Sequence, residues 1–386
     1  MAILAWKNLF HDKVRLVVTL TGIVFALVLI AVQFGMFLGF LDTSANIVEH
    51  NQADLWITAP GIPHVNGGFH LSTKPHVNGG SPIDEAKRWK ALQVPGVTNA
   101  VSYVLFFLNW KLPNGAFESV QVAGFDLDSG LGGPWDVVEG RADDLRGEDT
   151  VFVDALYKKK LGVEKIGDTL EINDRRARVA GFTHGIRSFT TAPYIFTSFK
   201  NAQSYMRLRE DQTVFILLKT SPGTDLAAAK ADVAKAVPNV EVFTRAEMLN
   251  RTRNYWVFGT GAGTTTLLGA VLGLMVGIVV VAQTLYSATL DHLKEFGTLK
   301  AMGATNGQLY GVIMLQAVLA AVLGYVLGIT VAWGVVRATE NTDLLIKLPP
   351  EVAAAVFGVT LFMCVSASLL SIRKATSIDP AMVFRG

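Results

Sequence analysis

Four long apolar runs, one near the start of the chain and three near its end, constrain this sequence most strongly. They cover residues 16–41, 263–285, 311–336 and 352–372, and each is long enough to supply the roughly 20 apolar residues of a membrane-spanning helix. Hydrophobic residues make up 51% of the chain and charged residues only 17%, which is too apolar for an ordinary soluble domain. We therefore predict a membrane protein with four transmembrane helices, arranged as one plus three.

The segment between the first and second apolar runs, residues 42–258, has a different composition. It contains most of the charged residues, prolines and turn signals of the chain, so we predict a large water-exposed domain of mixed α/β structure between transmembrane helices 1 and 2. The single cysteine, Cys364, lies in the fourth apolar run. The domain therefore contains no disulfide and must be stabilised by a packed core.

Local patterns predict elements in the first half of this domain. Residues 101–110 and 116–125 are rich in β-branched and aromatic side chains and flank Pro113-Asn114-Gly115, which indicates a hairpin. A strand over residues 150–154 is expected to lead into a short helix that ends at Gly162.

The second half of the domain has the pattern of a βαβ unit. A strand is predicted over residues 213–219, a helix over residues 224–236 and a strand over residues 240–243. Thr244 follows as the candidate cap of the next helix.

Basic residues lie at three places: before the first apolar run, between the second and third runs, and after the fourth run. Cytoplasmic flanks are enriched in lysine and arginine, and the flanking residues here are Lys7, Lys13, Arg15, Lys294, Lys300, Arg373, Lys374 and Arg385. We therefore predict an inner (plasma) membrane protein with cytoplasmic termini, a cytoplasmic loop over residues 286–310 and a cytoplasmic tail over residues 373–386. The large domain and a short loop over residues 337–351 then lie outside, in the periplasm or the extracellular space.

The first residues of the chain have an amphipathic pattern. Trp6, Leu9 and Phe10 alternate with the basic residues named above, which is typical of a helix lying in the membrane interface. We predict such a helix over residues 1–15, with a plain cytoplasmic lead-in as the alternative.

The cytoplasmic loop contains a short amphipathic pattern of its own. Phe296, Leu299 and Met302 recur at intervals of three residues and form an apolar edge on a helix. Gly303 is suited to the left-handed position at the end of this helix, and Thr305 or Asn306 to the cap of the next one. The pattern predicts a short helix at the membrane surface.

This segment resembles the coupling helix of the MacB/FtsX-type ABC exporter permeases and is most similar to their DevC-like branch. The matching residues are Glu295, Gly297, Lys300, Ala301, Gly303 and Ala304, with Phe296 and Leu299 on the apolar edge between them. The order of elements in the large domain and the ending Asp379-Pro380-Ala381-Met382-Val383-Phe384-Arg385 are also similar to that family. The resemblance implies that this segment contacts a separate ATPase subunit, which binds ATP and Mg.

The chain itself contains no signature of an ATPase or of another enzyme. A Gly-Lys dipeptide, which a P-loop requires, is absent, as are the common hydrolase and metalloprotease motifs. No acidic or basic residue lies deep within the apolar runs, which disfavours a transporter driven by protons or ions. We predict no catalytic residue and no cofactor in this chain.

Glycines recur at short intervals in the apolar runs. They are Gly35 and Gly39, then Gly269, Gly273 and Gly277, and finally Gly324 and Gly328. Small residues at this spacing allow helices to approach closely, either within one four-helix bundle or across the interface of a homodimer. The sequence leaves both interpretations open.

A duplicated Pro-His-Val-Asn-Gly-Gly motif lies early in the large domain. It contains His64 and His76, with His70 between the two copies. Histidines in a loop can bind a metal or haem iron, but runs of Pro, Asn and Gly are typical of turns and no carboxylate accompanies these histidines. We prefer the turn interpretation and predict no metal site.

Together with the resemblance, these features predict the permease subunit of an ATP-driven exporter that works by mechanotransmission, and the resemblance implies a homodimer with a separate ATPase. The DevC-like resemblance implies a periplasmic adaptor, an outer-membrane channel and export of a glycolipid or another amphiphile. A haem or drug efflux permease of the same family is the first alternative, and an FtsX-like signalling protein that activates a cell-wall hydrolase is the second. A net charge of +2 gives no indication of nucleic-acid binding.

Overall fold

The computed structural model describes residues 13–65, 82–291, 298, 300 and 302–376. The chain divides into two compact units. The helical unit comprises the residues up to Gly39, Thr264–Glu340 and the residues from Leu345 onwards, and the α/β unit comprises Phe40–Gly263 and Asn341–Leu344.

The described α-helices are, in chain order, α1 (Lys13–Thr43), α2 (Asn46–Glu49), α3 (Lys87–Leu92), α4 (Lys158–Leu161), α5 (Phe199–Met206), α6 (Leu226–Ala236), α7 (Arg245–Asn254), α8 (Ala262–Asp291), α9 (Asn306–Thr339) and α10 (Pro350–Thr376). A π-helical turn, Tyr255–Gly259, lies between α7 and α8.

The described strands are β1 (Leu55–Thr58), β2 (Ile83–Asp84), β3 (Val97–Lys111), β4 (Phe117–Phe125), β5 (Val137–Glu139), β6 (Thr150–Asp154), β7 (Thr169–Ile172), β8 (Arg175–Thr183), β9 (Tyr194–Ser198), β10 (Gln212–Thr213), β11 (Phe215–Thr220) and β12 (Glu241–Thr244).

Four of the helices are long and apolar enough to cross a membrane. The candidate spans are Leu16–Thr43, Ala262–Thr284, Asn306–Thr339 and Pro350–Leu369. One precedes the α/β unit in sequence and three follow it, so the predicted one-plus-three arrangement of four transmembrane helices is confirmed.

The core of the helical unit consists largely of small and branched side chains. Its buried members include Ile23 and Leu27 on α1, Val281 on α8, Ala321 on α9 and Cys364 on α10. Small side chains let helix backbones approach closely, which is how helices pack where water supplies no hydrophobic driving force between them.

The α/β unit is built on one mixed sheet. Its strands follow the order β12-β1-β11-β3-β4-β9-β6-β8-β5, while β7 pairs with β3 and β8, and β10 and β2 form a separate two-stranded sheet. Strand β3 is 15 residues long; its first part pairs with β11 and its second part with β4. The predicted hairpin is confirmed as β3–β4, and the predicted strand and short helix are confirmed as β6 and α4, with Gly162 in the left-handed conformation after α4.

The predicted βαβ unit forms with a third strand inserted between its two parallel strands. Strands β11 and β12 and helix α6 form, and Thr244 caps α7 through a hydrogen bond from the Glu247 backbone N–H, but the two strands are not neighbours. Strand β1 lies between them and is antiparallel to both. All four residues of β1 are buried, and a strand buried on both faces is favoured in the interior of a sheet.

Candidate coupling site

The turn at residues 302–305 lies between two helical stretches of the polypeptide. Gly303 has a φ of 97°, and its backbone N–H donates to the Lys300 carbonyl at 3.0 Å, while that of Met302 donates to the Thr298 carbonyl at 3.0 Å. A left-handed residue of this kind ends a helix because it directs the backbone away from the helix axis. The predicted left-handed conformation of Gly303 is therefore confirmed.

Thr305 begins the next helix with a reciprocal pair of hydrogen bonds. Its hydroxyl accepts from the Gln308 backbone N–H at 3.4 Å, and its own backbone N–H donates to Gln308 Oε1 at 3.0 Å. This capping box satisfies two backbone donors, and the predicted cap of α9 is confirmed at Thr305. Four residues, 301–304, separate Lys300 from this cap, so the turn is short.

Two features of the turn suit it to contact a partner. The Met302 side chain is 71% exposed, and a Cβ atom on Gly303 would meet nothing within 4 Å. The glycine is thus required by its backbone conformation and not by crowding. The other predicted coupling residues, Glu295, Phe296, Gly297, Leu299 and Ala301, lie outside the described residues.

The glycines at the end of α1 face a neighbouring segment of the same chain. A Cβ on Gly35 would approach the Lys347 carbonyl oxygen to 2.9 Å, and one on Gly39 would collide with the Leu345 carbonyl oxygen. The Lys347 backbone N–H donates to the Gly35 carbonyl at 3.1 Å. These glycines allow two backbones to pack directly against each other.

The predicted packing glycines of α8 and α9 face α1. On α8, a Cβ on Gly269 would lie 3.2 Å from Gln33 Oε1, one on Gly273 3.4 Å from Leu29 and one on Gly277 3.1 Å from Ile30. On α9, Gly324 and Gly328 face Ile23 and Leu27 of α1. The glycine-rich faces are occupied within one chain, which favours the packing interpretation, and the homodimer interface stays a prediction.

His64 lies in an aromatic cluster of the α/β unit. It is 4% exposed, and its ring stacks on Tyr255 at a centroid distance of 4.0 Å and lies 4.8 Å from the Trp256 ring. Burial lowers the pKa of His64 to about 4, so the imidazole is neutral at physiological pH. Among the described residues no group of three His, Cys, Asp or Glu side chains could hold a metal. His70 and His76 lie outside those residues.

Sequence reasoning missed the position of residues 341–344. The sequence predicts a short outside loop over residues 337–351, but Asn341–Leu344 pack as part of the α/β unit. Asp343 pairs there with Lys160, a contact between residues so far apart in the chain that no local pattern indicates it.

Comparisons with known proteins cover nearly the whole chain. Residues 16–236 match the family of the MacB-like periplasmic core domain, and residues 250–380 match the FtsX-like permease C-terminal family. An uncharacterised ABC transporter permease of Mycobacterium tuberculosis is 24% identical over 100% of both chains. One of Methanocaldococcus jannaschii is 21% identical over 99% of this chain and 96% of its own.

Among solved structures, the periplasmic region of MacB from Actinobacillus actinomycetemcomitans aligns at 13% identity with a TM-score of 0.39, covering 54% of this chain and 98% of that one. The family matches, together with four apolar helices and an α/β unit inserted after the first of them, describe a membrane protein with an extracytoplasmic domain. The chain belongs to the MacB/FtsX-type family of ABC transporter permeases.

Proposed function

We propose that this chain is the transmembrane subunit of an ATP-driven exporter and performs no chemistry itself. The observation that carries the proposal is the capped turn at Gly303 and Thr305, within the FtsX-like part of the chain and between two apolar helices. A short exposed turn that joins the ends of two spans can contact a partner and transmit its conformational change to those spans. A separate ATPase subunit, with ATP and Mg bound, would undergo that change.

The proposed topology puts both termini and the turn in the cytoplasm. Four crossings return the chain to the side on which it began, and the basic flanks favour the cytoplasm for that side. The turn between the second and third spans then faces the same compartment as the ATPase. The α/β unit and residues 341–344 face the opposite side.

The proposed mechanism is mechanotransmission by a homodimer. No ionised side chain lies deep within the spans, so a proton relay is disfavoured. Helix α8 has an exposed apolar face that includes Leu268, Leu272, Met275 and Val279, and this face suits lipid or a second copy of the chain. We assign the dimer contact to it, because the glycine-bearing face of α8 already packs on α1.

For the substrate, we propose a glycolipid or another amphiphile, handed to a periplasmic adaptor and an outer-membrane channel. This rests on the DevC-like similarity of the coupling segment. The α/β unit, which is outside the membrane in this topology, would be the part that engages the adaptor and substrate.

The proposal is tested by reconstituting the permease with a candidate ABC ATPase subunit. We expect a stable complex whose ATP hydrolysis changes when the permease is present, and changes again when the exported amphiphile is added. An ATPase that neither binds the permease nor responds to it would contradict the proposed function.

A further inference from the structure

The loop between β8 and β9 contacts each segment of the α/β unit that continues into a long helix. The Phe189 ring lies edge-on to Phe40 at 5.4 Å and 4.3 Å from the Trp256 ring. Phe40 belongs to the end of α1, and Trp256 precedes α8. We call residues 184–192 the hub loop.

The hub loop also holds the segments that follow α1 and α9. The Asn46 side-chain amide donates to the Arg187 carbonyl, and Arg187 Nε donates to the Thr342 carbonyl at 3.1 Å. Thr342 lies in the connection between α9 and α10. A single loop therefore contacts chain segments that adjoin all four spans in sequence.

Buried hydrogen bonds fix the hub loop to the sheet. Asp154, at the end of β6, is fully buried and accepts from the backbone N–H groups of Gly185 at 3.2 Å and Ile186 at 2.8 Å. Gln121 of β4 donates to Ser188 Oγ at 2.6 Å. Charge-assisted and buried bonds of this kind hold a loop in one conformation, so the loop follows the strands rigidly.

A second contact fastens residues 341–344 beside the hub loop. Lys160 Nζ lies 3.1 Å from Asp343 Oδ2 and 3.3 Å from Glu118 Oε1, and it donates to the Thr191 carbonyl at 2.7 Å. Its side chain is only 26% exposed. One partly buried ammonium group with two carboxylates and a carbonyl is less screened by solvent than a surface pair.

We propose that Lys160 and Arg187 form a latch that makes residues 341–344 move with the α/β unit as one body. Helices α1 and α8 continue in sequence into residues 40–263 of that unit, whereas residues 341–344 of the connection between α9 and α10 are held in it by contacts such as those of Arg187 and Lys160. The latch would give the ATPase-driven movement of α9 and α10 a direct route to the α/β unit. The inference rests on the proposed function for its role in transport, but the latch itself can be measured without it.

The test measures distances between spin labels in the full permease, bound to its ATPase in lipid nanodiscs. One pair of labels, at Asn341→Cys and Lys200→Cys, joins the segment to the exposed face of α5. A second pair, at Glu351→Cys and Lys200→Cys, joins the start of α10 to the same site. Both pairs are made in a Cys364→Ala background, and labelled protein is diluted with unlabelled protein.

We expect the first pair to give one narrow distance distribution that ATP with vanadate leaves unchanged. The distance between the labels of the second pair should change under the same conditions. Lys160→Met should broaden the first distribution and lower the permease-dependent change in ATPase activity about fivefold, the scale of a modest coupling between sites. Lys159→Met, which removes an exposed lysine of the same helix, is the matched control and should change neither.

A charge exchange separates the ion pair from other effects of Lys160. In a Glu118→Gln background, Lys160→Glu alone should broaden the first distribution, and adding Asp343→Lys should narrow it again. A first distribution that is broad in the unmodified permease, or that stays narrow with Lys160→Met, would overturn the latch. If ATP changes the label–label distance of neither pair, but Lys160→Met still broadens the distance distribution of the first pair, the latch stands and the proposed function fails.

Discussion

At the scale of single residues, His64 illustrates how a candidate ligand becomes a packing residue. The duplicated motif draws attention to its histidines, yet the His64 ring is enclosed by Tyr255 and Trp256 just before the second span. Desolvation disfavours the charged imidazole, which is why the pKa of His64 is lowered to about 4. Its neutral form is part of the packed cluster.

The lowered pKa of His64 predicts that the folded protein becomes less stable when the pH falls from about 6.5 to about 4. The unfolded chain binds a proton at the ordinary histidine pKa of about 6.5, whereas folded His64 does not bind one until about pH 4. Stability is therefore fully present above pH 6.5 and decreases by about 2–3 kcal/mol across this window. The apparent Tm of the purified permease in detergent, recorded at intervals between pH 7.5 and 4.5, measures it.

His64→Phe provides the comparison. A phenyl ring keeps the aromatic stack but cannot be protonated, so the variant should lose most of this pH dependence. His184→Phe, at an exposed histidine of the same unit, should retain it. Equal pH profiles for wild type and His64→Phe would show that another group controls the titration.

At the scale of elements, α1 is the helix on which the membrane bundle is organised. Glycines of α8 and α9 face it, and its own Gly35 and Gly39 face residues 345–347. The backbone contacts of Gly35 and Gly39 leave no room for a side chain. The packing role of each glycine can therefore be tested against a glycine of the same bundle that faces open space.

Gly39→Val should destabilise the helical unit strongly. A Cβ at this position would meet the Leu345 backbone, which cannot yield as a flexible side chain can, and overpacking in a filled interior costs about 1–3 kcal/mol. Gly334→Val on α9 is the control, because a Cβ there would meet nothing within 4 Å. Apparent Tm in detergent should fall for the first variant and stay within error for the second; a similar small effect for both would contradict the packing.

The elements that the sequence predicted correctly are those specified by neighbouring residues. Pro113-Asn114-Gly115 specifies a hairpin, Gly162 and Gly303 end helices, and Thr305 caps one, and each depends on local backbone chemistry. Strand β1 and the contact of Asp343 with Lys160 were missed because both depend on pairing between distant parts of the chain. The glycine spacing indicated close helix packing, but it could not say which partner each glycine would meet.

The turn between α8 and α9 supports a prediction about coupling. A β-branched residue at φ 97° is strongly disfavoured, so Gly303→Val should disturb the turn and the start of α9, and should abolish the effect of the permease on ATP hydrolysis. Gly307→Val is the matched control: Gly307 lies four residues later on α9 and also faces open space, but in helical conformation. Insertion and ATPase binding should survive in both variants. Normal coupling with Gly303→Val would exclude this turn as the transmission contact.

At the scale of the whole molecule, the proposed function requires that the turn and the α/β unit lie on opposite sides of the membrane. One span separates the N-terminus from the α/β unit and three follow it, so every position in the chain has a defined side once one is known. The basic residues beside the spans favour a cytoplasmic turn. In the proposed orientation, the ATPase and the exported molecule would act on the same permease from different compartments.

Single cysteines in a Cys364→Ala background should report this orientation. Asn114→Cys, at the exposed tip of the β3–β4 hairpin, should react with a membrane-impermeant thiol reagent added to intact cells without an outer-membrane barrier. Asn306→Cys, at the exposed start of α9, should react only after the membrane is opened. Because both side chains are exposed, a difference in labelling reflects the side of the membrane and not burial. The reverse pattern would place the turn outside, where a cytoplasmic ATPase could not reach it, and the proposed transport mechanism would then be wrong.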